Sequence, residues 1–209
     1  MLVRRALALP AGILFLVLAW TGLPSRLLAP PFAAHMLGHM IIVAIASPLV
    51  ALGLAGRPID PVVRYPRWFA AIPASLLELV VVWLWHAPAL HEAARHQPAM
   101  WAAEQASFLA AGLYFWLAVV GGRPGPRLAN AGSAIVALVL TFSHMTLLGA
   151  VLVLSPRSLY EHGNPAEAVA GQHLGGAIML VVGGAVYIGA GLGLALGLVR
   201  HPLPREGRA

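Results

Sequence analysis

Residues 32–54 read FAAHMLGHMIIVAIASPLVALGL, and this run decides the class of the molecule. It is almost wholly apolar and long enough to cross hydrocarbon as a helix, which takes about 20 residues. At its start stand His35 and His39, four residues apart and therefore on one helical face. Met36 and Met40 form a second stripe beside them. Two imidazoles and two thioethers are costly to place in lipid and well suited to a soft metal. Pro48 lies inside the run and is expected to kink the helix, which neighbouring helices can accommodate.

Working outward, five more apolar runs flank this one, at residues 6–23, 69–88, 99–120, 131–154 and 169–199. The chain is 60% hydrophobic and only 10% charged, whereas soluble domains carry about 25% charged residues. The expected fold is all-α: a polytopic membrane helix bundle of about six transmembrane helices, forming one integral membrane domain over residues 1–209. Arg4 and Arg5 precede the first run as in a signal sequence. No small-x-small cleavage site follows, so an uncleaved first span is expected. There is no cysteine, which excludes disulfides, thiolate metal sites and iron–sulfur clusters.

The basic residues number 13, all arginine, and they are dispersed in short connections, a topological signal rather than a nucleic-acid patch. With both termini cytoplasmic, the inner segments carry 2, 3, 2 and 3 arginines, and Arg26, Arg95 and Arg157 fall one to each outer loop. That orientation puts His35 and His39 at the outer start of span two and His86 at the outer end of span three. Glu104 and His173 open spans four and six, again on the outer side. His144 lies about 15 Å below the outer end of span five at helical rise. Eight of the nine histidines thus fall in the outer half or beyond, and only His201 is cytoplasmic. Packing has no reason to prefer one leaflet; a site facing the outer surface does.

The candidate metal ligands are therefore His35, His39, Met36, Met40, His86, Glu104, His144 and His173. His86 closes a stretch with Trp83 and Trp85, which read as an interfacial aromatic belt. His91, His96 and His162 stand in polar connections, where solvated histidines are the commoner case. Glu78 is near the bilayer centre, either a carboxyl hydrogen-bonded across helices or a proton-carrying group. Without cysteine, mixed His and Met favours copper, and thioether ligands select copper(I). No nucleophile–base set and no phosphate loop is present, so a non-enzymatic role is expected. Two other readings are a haem protein with bis-His ligation, through His39 with His144 or His86 with His173, and a proton-coupled transporter using Glu78 and His144. Gly189, Gly193 and Gly197 offer a face on which another helix or a second copy can pack closely.

Several stretches together resemble the CtaG-type cytochrome c oxidase assembly factors. They are His35-Met36-x-x-His39-Met40 followed by Ser47-Pro48-Leu49; Trp83-Leu84-Trp85-His86-Ala87-Pro88; and Glu104 with Phe115-Trp116 and Gly121. Leu159-Tyr160 and Gln172-x-x-Gly175-Gly176-x-x-Met179 complete the ordered set. Where the family pattern has Glu-His in span four, Gln105 follows Glu104 here; where it has Asp-Gln in span six, Gly171 precedes Gln172. The resemblance implies a multi-pass protein of the bacterial plasma membrane, associated with copper supply to haem–copper oxidases. Its partners would be an oxidase subunit or a periplasmic copper chaperone. His35, His39, His86 and Glu104 match its motif positions.

Overall fold

The computed structural model describes residues 2–28, 30–160 and 164–200. Glu161 and His162, and the C-terminal His201, Arg205 and Arg208, lie outside the described residues. The described chain is helical throughout, without strands. In order it forms α1 (Leu2–Trp20), α2 (Leu23–Leu27), α3 (Pro31–Leu54), α4 (Pro61–Arg64) and α5 (Ala71–Trp85). There follow α6 (Pro88–His96), α7 (Pro98–Val120), α8 (Pro124–Ala129), α9 (Ala131–Leu154) and α10 (Pro165–Arg200). Proline sets most of the starts. Pro31, Pro61, Pro88, Pro98, Pro124 and Pro165 each begin a helix, where the missing N–H has no partner to lose.

All six apolar runs are helices, with α3, α7, α9 and α10 each long and apolar enough to cross a membrane. A fifth crossing is available if α5 and α6, bent by 72° at their junction, count as one broken span. The apolar part of α1, Leu7–Trp20, is shorter. Length and composition thus support four or five crossings, against the six expected.

Helix α3 lies at the centre, packed against α1, α7 and α10, while α5 packs on α7 and α9. Close approach of α1 is possible because Gly53 lacks a side chain: a Cβ there would fall 2.6 Å from that of Leu9. The distortion expected from Pro48 appears as a π-helical segment at Ile41–Ala46. Pro48 has no N–H to donate, and the Ser47 N–H reaches back five residues to the Ile42 carbonyl. The wider turn exposes the Val43 carbonyl, which accepts a bond of 2.8 Å from the Trp116 indole of α7. A buried carbonyl left bare would cost about 1–3 kcal/mol, so Trp116 makes the distortion tolerable.

The two ends of the bundle are chemically unlike. At one end Asp60 caps α4, accepting from Val62 N at 2.9 Å, and ties in Gly56 N at 2.7 Å and Gly122 N at 2.8 Å. Gly56 and Gly122 both have positive φ, 75° and 78°, which a side chain would strain. The other end collects the start of α3, the end of α5, α6 and the starts of α7 and α10. The Gly189, Gly193 and Gly197 face is open: a Cβ at any of them meets nothing within 4 Å.

Candidate metal centre

The i, i+4 spacing on α3 brings the His35 and His39 rings to 4.0 Å between centroids, edge to face. Helix α7 presents Glu104 to both. Its Oε1 lies 3.3 Å from His35 Nε2 and 3.6 Å from His39 Nε2, while Oε2 accepts from Gln105 Nε2 at 3.2 Å. Glu104 is fully buried and His39 nearly so. These contacts are at ion-pair distance but lack hydrogen-bond geometry: His35 Nε2, both His39 nitrogens and Glu104 Oε1 are all buried without a hydrogen-bond partner. One ligand atom from each of these residues lies within 4.8 Å of the others. Two tetrahedral ligands about 2.0–2.1 Å from an ion stand roughly 3.4 Å apart. The spacing therefore suits one shared ion, and an ion would satisfy the bare atoms.

Two more histidines close around this group. His86 ends α5; its Nδ1 lies 2.6 Å from the Val82 carbonyl and its Nε2 3.4 Å from Met36 Sδ. His91, on the inner face of α6, has its ring centroid 4.9 Å from that of His35. It is 1% exposed, with both nitrogens unpartnered. A neutral imidazole there carries a lone pair that no protein group engages. The sequence reading placed His91 in a solvated connection. The correction comes from Pro88, which starts a new helix at the 72° bend and folds α6 back over the site. The sequence carries a signal: Leu90, His91 and Ala94 lie on one face of α6, away from Glu92 and His96.

Tyr160 roofs the cluster, stacked on Phe32 at 4.9 Å and donating to the His86 carbonyl at 2.9 Å. Burial pushes its phenol up to about 12. Gln172 holds this roof down, accepting from Leu159 N at 2.8 Å and donating to the Leu152 carbonyl at 3.1 Å. Leu159-Tyr160 and Gln172, separate motifs in the sequence, are thus one fastening. Beside the cluster opens a cavity of about 310 Å³ whose lining includes Ser25, His35, His39, Arg95, Trp101 and Gln105.

Other candidates go elsewhere. Met40 is buried, with its terminal methyl toward Gly183 of α10. His173 is engaged with the Ser155 carbonyl at 3.0 Å. His144 is buried on α9 with both nitrogens unpartnered, but is not in the group of ligand atoms formed by His35, His39 and Glu104. His96 pairs with Glu92 at the surface, at 2.8 Å. Glu78 is fully buried and accepts from Tyr187 at 3.3 Å and Thr141 at 3.4 Å, bridging α5, α10 and α9. Trp83 is partly exposed as a belt residue would be, but Trp85 points inward and donates to Ser107 Oγ at 2.7 Å.

The family model for the cytochrome c oxidase caa3 assembly factor matches residues 2–201. The chain belongs to that family, as its ordered motifs imply. No curated protein and no solved structure matches it.

Proposed function

We propose that this oxidase assembly factor binds copper through His35, His39 and Glu104 and assists its delivery to the oxidase. The observation that carries the reading is the convergence of buried nitrogen and oxygen atoms without hydrogen-bond partners at spacings suited to one ion. A folded membrane bundle has no reason to desolvate such atoms without a partner, because each costs about 1–3 kcal/mol. The absence of cysteine and the presence of Met36 beside the imidazoles favour copper over zinc. The arginine distribution favours an orientation with this end on the outer, periplasmic side. There the cavity beside His35 gives an incoming chaperone or oxidase segment a route to the ion. The role is one of holding and handing over, not of catalysis.

Metal analysis of the purified full-length protein tests this. Loaded with copper(II), wild type should retain about one copper per chain, and His35→Ala/His39→Ala should lose it. Equal copper in both would remove the assignment. The same sample excludes the haem reading if it shows no Soret band.

A further inference from the structure

We propose that Met36 and His86 form a second, softer copper(I) station next to the His35/His39/Glu104 group. The inference rests on the copper reading above and goes beyond it by dividing the centre in two.

The argument begins with a proton. His86 Nδ1 lies 2.6 Å from the Val82 carbonyl, so a neutral ring donates there and carries a lone pair at Nε2. That lone pair faces the Met36 thioether at 3.4 Å. Sulfur of this kind has no proton either. Two acceptors are therefore pressed together, with Met36 fully buried and His86 6% exposed. A soft cation between them removes the mismatch. Ligand bonds of about 2.0 Å to nitrogen and 2.3 Å to sulfur put the two donors roughly 3.5 Å apart on a tetrahedral ion.

Met36 is backed by helix backbone, and the His86 ring is held by its own Nδ1 bond to Val82 and its main chain by Tyr160. A Cβ on Gly175 of α10 would come within 2.8 Å of Met36 Cγ, so the helix backbone itself backs the thioether. The His86 carbonyl is held by Tyr160 at 2.9 Å. Met40 supplies the contrast. It is equally buried on the same helix, but its methyl ends toward Gly183, as a packing residue's would.

His39 stands between the two stations. Its ring centroid is 4.0 Å from that of His35 and 6.0 Å from that of His86, and both its nitrogens are unpartnered. The outer station offers two nitrogens and an oxygen beside the cavity, a set that also accepts copper(II). The inner one offers sulfur and nitrogen, a set that prefers copper(I).

The test uses purified full-length protein in detergent, loaded anaerobically with copper(I) or, separately, with copper(II). X-ray absorption of the copper(I) form should show a sulfur scatterer at about 2.3 Å. Met36→Leu should abolish that shell and weaken copper(I) binding at least tenfold in competition with a chromogenic chelator. The copper(II) paramagnetic resonance signal should persist in Met36→Leu and be lost in Glu104→Gln. Met40→Leu should change neither. A wild-type copper(I) shell of nitrogen and oxygen alone overturns the second station while leaving the first, and this outcome does not depend on any variant folding. Joint loss of both signals in Met36→Leu and in Glu104→Gln means one indivisible site, which also overturns it. Wild type that binds no copper in either state removes both readings.

Discussion

Asp60 and Glu104 are both fully buried carboxyls at opposite ends of the same bundle, and they are treated in opposite ways. Asp60 is surrounded by donors: three backbone N–H groups at 2.7–2.9 Å satisfy it and stitch the α3–α4 turn to the end of α7. Glu104 has one oxygen on Gln105 and the other against two imidazole nitrogens with which it forms no hydrogen bond. The first arrangement is complete within the chain. The second is not, and on the copper reading an ion completes it. Burial of a charged residue in a membrane bundle is therefore not itself a sign of function; what matters is whether the polypeptide satisfies it.

The largest effect should come from breaking the complete end. Asp60→Ala strips partners from the N–H groups of Gly56, Val62 and Gly122, at about 1 kcal/mol or more each. A loss of about 3–4 kcal/mol in stability is expected, read as a fall in thermal unfolding temperature in detergent. The fraction that stays folded should still bind copper. Glu104→Gln should do the reverse. Measured with a chelator present, its stability should be within about 1 kcal/mol of wild type, because an amide oxygen can still accept from Gln105 and the carboxylate makes no hydrogen bond to either imidazole. Copper at a hundredfold excess over its dissociation constant should stabilise wild type by about 2.7 kcal/mol and the variant far less. A Glu104→Gln protein as unstable as Asp60→Ala would make the two ends equivalent.

Depth along the helix axis was legible in the sequence, and direction around it was not. Apolar runs and arginine spacing locate the helices within a few residues, and the i, i+4 rule alone pairs His35 with His39. The same reasoning puts His86, Glu104 and His173 at one end, as found. It cannot tell that His173 is engaged with the Ser155 carbonyl, or that Met36 turns to His86 while Met40 turns to α10. Those outcomes depend on how helices pack across gaps of many residues. His91 escapes the sequence for a related reason: a polar connection reads as solvated unless the bend at Pro88 is known to lay it over the site.

Gln172 gives a smaller effect that sharpens the contrast, because it acts on the site without touching it. Gln172→Leu leaves Leu159 N and the Leu152 carbonyl without this partner, for an expected loss of about 1–2 kcal/mol. Tyr160 would then be held less firmly over His86 and His91, and copper should dissociate several-fold faster in chelator competition. Unchanged release would show that the roof contributes only to folding.

Glu78 should give the smallest effect, and it fills the interval between the two ends. It is as buried as Asp60 and Glu104, but its oxygens accept two long hydroxyl bonds, from Tyr187 at 3.3 Å and Thr141 at 3.4 Å, with Ser75 2.8 Å behind Thr141. Hydroxyls are the partners a carboxyl and a carboxamide can share, since each hydroxyl both donates and accepts. Glu78→Gln can therefore keep the network by turning Thr141 and Ser75, and its stability should move by less than about 1 kcal/mol. Copper retention should not change. If instead Glu78→Gln abolished oxidase assembly while copper content and stability held, the central carboxyl would be carrying protons. The incomplete end would then be only half of the mechanism.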